Sequence, residues 1–256
     1  MIRILMLLRL YIWRQILQWL AWRAFLFTLV INQAITPLAG LAVWSVALPS
    51  NDGISTYYLM ILIVQLMTVS YENHTFSNSI YDGTVTSDLL KPQPIVLATI
   101  GENIAVRLLH LLIGLPVIIV AALIYDVTTT PQLVFIASPA IALAAVLRFL
   151  FTYVLALSAF WTQQAHGLVS FGTTMIFLFG GVAAPIPLMP TAIQPWIAVL
   201  PFRSMLGFPA ELASGQLASA QVALGYWWQI VWLVLLIFTA SALWRFGTRH
   251  FTAIGG

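Results

Sequence analysis

Few residues of this 256-residue chain carry groups that could do acid–base, nucleophilic or metal chemistry. Cysteine is absent, which excludes disulfides, thiolate metal sites and cysteine nucleophiles. Three histidines, His74, His166 and His250, are too scattered along the chain to indicate a metal site. The seven carboxylates lie at or near the ends of apolar stretches, and no pair of catalytic groups stands out inside one. We expect neither catalytic residues nor a bound metal.

The single lysine of the chain excludes a further kind of chemistry. A phosphate-binding loop ends in Gly-Lys-Ser/Thr, whereas Lys91 is followed by Pro92. We therefore expect that the chain itself binds no nucleotide and no other cofactor.

Composition predicts that the elements carrying these residues are membrane helices. Hydrophobic residues make up 61% of the chain and charged residues 7%, where a soluble protein would carry about 25% charge. A helix needs roughly 20 apolar residues to cross a hydrocarbon core. The apolar stretches are continuous, whereas a barrel strand would alternate. The sequence thus predicts an all-α integral membrane protein with one transmembrane domain, residues 1–256.

Six stretches are long enough to span the membrane. They are Ala24 to Leu48, Ile54 to Tyr71, Ile104 to Tyr125, Leu133 to Trp161, Gly167 to Ala184, and Tyr226 to Trp244. Pro37, Pro116 and Pro139 lie inside spans and are expected to mark kinks, which membrane helices tolerate.

The basic residues predict the orientation, because loops kept in the cytoplasm carry an excess of Lys and Arg. Eight fall on one predicted side: Arg3, Arg9, Arg14, Arg23, Lys91, Arg107, Arg245 and Arg249. The opposite loops hold Asp52 and Asp126, with Arg203 as their only basic residue. Both termini are therefore predicted to be cytoplasmic.

Residues 1–23 form an apolar segment that arginines interrupt too often for it to span. With Trp13, Trp19 and Trp22 as interfacial anchors, we predict an amphipathic helix in the plane of the cytoplasmic surface. The alternative is a plain basic leader that only fixes the topology.

The loop of residues 72–103 is the most polar part of the chain. Polar residues after Tyr71 are expected to continue the second helix, which Gly83 can end. A short helix can restart, capped by Thr86 or Ser87 and stopped by Pro92, with Leu89 and Leu90 as its apolar face. Such a helix could fill a groove on a soluble protein. The alternative is a solvated connector.

Residues 185–224 form an apolar, proline-rich external hairpin region. The prolines divide it into pieces too short to span, and Gly180-Gly181 allow a sharp turn. We expect short re-entrant-like helices around Gln194 to Val199 and Ser204 to Leu212, which would form a lid over a translocation path. An apron lying at the membrane interface is the alternative.

Polar residues inside spans are functional candidates. Arg148 is predicted to lie near the cytoplasmic boundary, where it either snorkels, pairs with Glu72 or Glu102, or contacts a substrate. Asn32, Gln33 and Thr36 either line a path or join helices. His110 is expected to be a hydrogen-bonded packing residue.

In order and spacing, these features resemble the type 2 permease family of ATP-binding-cassette exporters, among the small six-span subunits without a fused ATPase. The resemblance rests on Ile80-x-x-Gly83 before Leu89-Leu90-Lys91-Pro92, on Phe160-Trp161, and on Gly181-x-x-x-Pro185 before Pro190, Pro201-Phe202 and Pro209. Lysine stands where arginine is more common before the loop proline, and the charge is kept.

The resemblance implies a non-catalytic permease in a bacterial cytoplasmic membrane, with ATP and Mg²⁺ bound by a separate cytoplasmic ATPase. The helix resting on that ATPase would comprise Gly83, Ser87, Asp88, Leu89, Leu90, Lys91 and Pro92. An external gate would comprise Gly181, Pro185, Pro190, Pro201, Phe202 and Pro209. A second identical or homologous permease would pair with it in the bilayer, and no nucleic acid is implied. The apolar path favours an amphipathic or lipid-like cargo.

Two other function classes compete with this interpretation. A secondary transporter would need membrane-embedded carboxylates or inverted repeats, and an intramembrane enzyme would need paired catalytic groups at depth. The sequence shows neither pattern.

Overall fold

A computed structural model describes residues 2–48, 52–127, 131–162 and 166–250. This part of the chain is helical and contains no β-strand. Its α-helices are α1 (Ile2–Ala21), α2 (Arg23–Ala47), α3 (Asp52–Thr68), α4 (Glu72–Tyr81), α5 (Val85–Leu89), α6 (Val96–Ile124), α7 (Pro131–Leu157), α8 (His166–Phe179), α9 (Gln194–Val199), α10 (Phe208–Ala213) and α11 (Ser219–His250). A π-helical turn, Arg203–Gly207, leads directly into α10.

Five segments of the described chain are long and apolar enough to cross a membrane, which confirms the predicted fold class. They are Arg23–Ala47, Gly53–Tyr81, Val96–Ile124, Gln132–Phe160 and Ser219–Arg249. Pro37, Pro116 and Pro139 lie inside α2, α6 and α7, as predicted.

The fifth predicted span is shorter than the sequence indicated. Its helix, α8, has 14 residues and ends at Phe179 instead of Ala184, so it extends about 21 Å where a bilayer core needs about 30 Å. The chain turns back because Gly181 adopts a left-handed conformation with φ +86°, which favours glycine.

The core forms around α3, whose side chains are buried on all sides of the helix. Tyr57, Ile61, Leu62 and Leu66 are among its fully buried residues. Helices α2, α6, α7 and α10 pack around it. By contrast, α2, α6 and α11 also expose many large apolar side chains, as expected of helices that face lipid.

The N-terminal helix, the 72–103 loop and the end of α11 lie at one end of the bundle. Helix α1 packs against α6, and Gln93 donates a hydrogen bond to the hydroxyl of Tyr11. Near the end of α11, the Trp244 ring lies 6.4 Å from Phe76 of α4 and 6.0 Å from Phe160, centroid to centroid. The basic ends of the chain therefore share one face.

Candidate functional site

A break in the second span is the starting point of the site. Helix α3 ends at Thr68 and α4 begins at Glu72, although the sequence predicted one continuous helix. Arg107 of α6 fills the break, because its guanidinium donates to the carbonyl oxygens of Val69 at 3.0 Å and Thr68 at 3.4 Å. It also donates to Ser70 Oγ at 3.1 Å and to the Ala145 carbonyl of α7 at 2.7 Å. One side chain thus satisfies backbone groups that the broken helix leaves free.

Glu72, the first residue after the break, is buried with hydrogen-bond donors on both carboxylate oxygens. Asn103 of α6 donates to Oε1, and the hydroxyl of Thr152 on α7 donates to Oε2 at 2.7 Å. Asn103 also donates to Ser70 Oγ at 2.9 Å. The start of α4 is therefore fixed to both neighbouring helices.

Tyr71, on the other side of the break, connects α6 to α2. Its hydroxyl lies 3.1 Å from Nε2 of His110 and accepts a hydrogen bond from Gln33 at 3.3 Å. Gln65 of α3 donates to the backbone and side-chain oxygens of Gln33, both at 3.0 Å. His110 is fully buried and its Nδ1 lies 2.9 Å from the Val106 carbonyl, as expected of a packing residue.

Arg148 lies among the helices and donates from Nη1 to the hydroxyl of Thr68 at 3.1 Å. Only 6% of the residue is exposed. The direct pair with Glu72 or Glu102 that the sequence suggested is not formed, because the ion pairs of the described residues lie elsewhere. The carboxylate of Glu72 instead accepts hydrogen bonds from Asn103 and Thr152. Its interaction with Arg148 is electrostatic, without a direct ion pair.

These residues form a continuous polar belt across the bundle. We use this name for Gln33, Gln65, Thr68, Tyr71, Glu72, Asn103, Arg107, His110, Arg148 and Thr152. The sequence did not single out most of these residues. Arg107, for example, was used only to predict the orientation in the membrane. A signal was present, however: residues 103, 107 and 110 share one face of α6, and residues 148 and 152 share one face of α7.

A cavity of about 170 Å³ opens beside the polar belt. Its polar lining comprises Asn32, Gln33, Thr36, Gln65, Arg148 and Thr173. Ile176 and Phe177 of α8 and Leu206 of the π-helical turn add apolar walls. The structure thus brings Asn32, Gln33 and Arg148, which the sequence singled out separately, to one cavity between α2 and α8.

The short helix of the 72–103 loop is present, but its start differs from the prediction. Gly83 ends the preceding helix with φ +76°, as predicted. Helix α5 then begins at Val85, so Thr86 and Ser87 do not cap it; their hydroxyls bond to the Gly83 and Thr84 carbonyls. The turn before it is held by Asp82, whose pKa is lowered by hydrogen bonds from the Thr84 hydroxyl and N–H.

The two sides of α5 have different surroundings. Val85 is fully buried against a small core with Tyr153, Leu157 and Ala240, which belong to α7 and α11. Leu90, which caps the C-terminal end of α5, is 87% exposed, and Leu89 is 40% exposed. Asp88 and Lys91 form an exposed ion pair. Helix α5 is therefore attached to the bundle through Val85 while presenting a leucine outward.

Residues 185–224 contain both short helices that the sequence predicted. Helix α9 spans Gln194–Val199, and the second segment comprises the π-helical turn and α10. Residues 204–213 are buried against α3 and α7. Arg203, the first residue of the π-helical turn, pairs with Glu211 of α10 at 2.5 Å, so a largely buried ion pair links the turn to α10.

The predicted gate residues divide between two environments. The carbonyl oxygen of Gly181 accepts a hydrogen bond of 3.0 Å from the Tyr57 hydroxyl. Phe202 packs against Phe151 of α7 and Phe179 of α8. Pro185, Pro201 and Pro209 are buried, whereas Pro190 is exposed. The predicted gate residues other than Pro190 thus belong to the packed part of residues 181–209.

The described residues contain no group of three His, Asp or Glu side chains placed to hold a metal ion. The side chains of Asp52, His166 and His250 lie outside the described ones.

A family model described as ABC-2 family transporter protein matches residues 16–255. No curated protein and no solved structure matches the chain.

Proposed function

The chain belongs to the ABC-2 family of transporter proteins, and from that premise we propose that it exports an amphipathic or lipid-like molecule using ATP hydrolysed by a separate subunit. The family and the five apolar helices make it a multi-pass membrane protein and an ABC transporter permease. To this the proposal adds the export direction, the cargo and the ATPase partner.

The exposed side of α5 carries the proposal. Leu90, at the end of α5, is 87% exposed, whereas Val85 at the start of the helix is buried and attaches it to the bundle. A large apolar residue in this position loses contact with water when it enters a groove on another protein. Asp88 and Lys91 beside it can pair with polar groups at the groove's rim. We infer that α5 is the helix that rests on a cytoplasmic ATPase.

A mechanical connection from α5 to the cavity supports this role. Helix α5 follows α4, and α4 begins at the break that Arg107 fills. Arg148 bonds to Thr68 at the same break and also lines the cavity. A displacement of α5 by the ATPase would therefore act on the break, and through Thr68 on the cavity.

The open side of the cavity favours pairing with a second permease. Helices α2 and α8 form its side walls, and both expose apolar side chains such as Phe27, Ile31 and Phe171. A second identical or homologous subunit facing these walls would enclose a path that one chain leaves open. ATP and Mg²⁺ would reside on the ATPase.

In this arrangement the protein lies in a bacterial inner membrane. Helix α1, the 72–103 loop and the end of α11 lie on its cytoplasmic side, in accord with their basic residues. The packed external region, with Gly181, Pro185, Pro201, Phe202 and Pro209, would close the path on the opposite side. Cargo would then leave by displacement of this region.

Affinity purification of the tagged chain from its native membranes tests the proposal. We expect an ATPase subunit to copurify, the complex to hydrolyse ATP, and the chain alone to hydrolyse none. Hydrolysis by the isolated chain, or purification without any ATPase under conditions that preserve membrane complexes, would contradict the proposal.

A further inference from the structure

We propose that the cargo carries an anionic group, a carboxylate or a phosphate, and that Arg148 binds this group in the cavity between α2 and α8. The inference rests on the proposed role as a permease, and it names the chemical class of the cargo.

The charges of the polar belt do not balance. Arg107 and Arg148 are both in the belt, and Glu72 is the carboxylate that acts on both. Glu102 of α6 is not one of the belt residues, and both Glu72 and Arg14 of α1 act on it through space. One carboxylate against two guanidinium groups leaves a positive charge in surroundings where an unpaired charge is costly. An anion entering the cavity would offset it.

Of the two guanidinium groups, that of Arg148 is available to a ligand. Arg107 is engaged by three backbone carbonyls and the hydroxyl of Ser70. A guanidinium has five N–H donors, and within the described residues Arg148 directs Nη1 to Thr68. Its side chain also lines the cavity, whereas that of Arg107 does not. Arg148 is thus the cationic side chain of this site.

The remaining lining suits the binding of an anionic group. None of the lining residues is a carboxylate. The amide of Asn32 and the hydroxyl of Thr36 can donate hydrogen bonds to an anion, whereas Gln65 and Thr173 direct their donors to Gln33 and to the Val169 carbonyl. At about 170 Å³ the cavity is smaller than the roughly 300–1,000 Å³ of sites for whole drug-sized ligands. It therefore admits a headgroup, while an apolar tail would lie along Ile176, Phe177 and Leu206.

Thermal unfolding of the purified chain in a neutral detergent tests the proposal with four probes of equal chain length. They are dodecyl phosphate, dodecanoate, dodecylamine and dodecanol. A ligand that binds the folded state raises the unfolding temperature with its concentration. We expect this rise with dodecyl phosphate or dodecanoate, and the stronger of the two identifies the group. Dodecylamine and dodecanol should give none.

Two variants locate the site. Asn32→Asp places a carboxylate in the lining at an exposed position, and should weaken anion binding at least about tenfold. Arg148→Gln should abolish it. Arg245→Gln, which removes an exposed arginine near the end of α11, should bind the anions like the wild type.

Equal shifts with dodecylamine or dodecanol would overturn the proposal, and so would undiminished anion binding in Asn32→Asp. Should Arg148→Gln not fold, Asn32→Asp decides alone. The assay uses no ATPase, so its failure leaves the permease assignment standing. Conversely, anion binding by a chain that recruits no ATPase would reject the proposed function and not the site.

Discussion

Arg107 Nε donates a hydrogen bond of 3.0 Å to the carbonyl oxygen of Val69, at the point where the second span is interrupted. The break is therefore a satisfied structural feature instead of a frayed helix end. It divides the span into α3, which is part of the central core, and α4, which leads to the exposed helix α5. The central core and the connection to α5 thus belong to separate helices.

Removal of the Arg107 side chain should destabilise the fold. In Arg107→Met, the carbonyls of Thr68, Val69 and Ala145 lose their donor, and Glu72 loses a nearby positive charge. Leaving a buried polar group without its hydrogen-bond partner costs about 1–3 kcal/mol. We expect a lower free energy of unfolding in mixed micelles by about that amount. Arg245→Met is the matched control, and equal loss in both variants would show that the break does not depend on Arg107.

Gly181→Ala should destabilise the turn after α8. The residue has φ +86°, and an added Cβ would lie 2.2 Å from the hydroxyl oxygen of Tyr57. The left-handed conformation alone costs a non-glycine residue about 1–2 kcal/mol. Gly167→Ala in α8 meets no atom within 4 Å and serves as the control.

Unfolding temperatures of both glycine variants measure the difference. If Tyr57 is the obstacle, Tyr57→Phe should recover part of the loss in the Gly181→Ala background. A Gly181→Ala variant as stable as Gly167→Ala would show that the turn can rearrange.

Single cysteines should report opposite sides of the membrane at the two ends of the bundle. Because the native chain has no cysteine, Ser87→Cys and Ala218→Cys each introduce one thiol, and both positions are exposed. With a membrane-impermeant maleimide on intact cells, we expect labelling at position 218 and none at position 87 until the cells are opened. The reverse pattern would invert the proposed topology.

The sequence predicted those features that depend on local composition. Continuous apolar runs located the spans, Gly83 located the end of α4, and prolines located the short helices near Gln194 and Ser204. The break at residues 69–71 could not be predicted, because a serine–tyrosine pair is not a helix breaker and Arg107, which satisfies the free carbonyls, lies far along the chain. The early end of α8 was missed since apolar residues continue through Ala184.

The cavity was predicted only in parts. Asn32, Gln33 and Arg148 were selected because polar groups inside spans are costly, yet their meeting depends on the packing of α2, α3 and α7. The start of α5 was also misplaced, because Thr86 and Ser87 bond to carbonyls behind them instead of capping the helix.

The central claim is that a separate ATPase docks on α5, and Leu90→Asp tests it most directly. The residue is 87% exposed, so the variant should unfold at the wild-type temperature. A charge in an apolar groove must be desolvated, so we expect ATPase binding to weaken by at least about 2 kcal/mol, or roughly 30-fold. Lys91→Ala should cost no more than about 1 kcal/mol, because its pair with Asp88 is exposed.

The measurement is recovery of the ATPase with each tagged variant, together with ATP hydrolysis by the recovered complex. The account predicts that wild type and Lys91→Ala recover an active ATPase, whereas folded Leu90→Asp does not. Recovery and hydrolysis by Leu90→Asp at the wild-type level would contradict it.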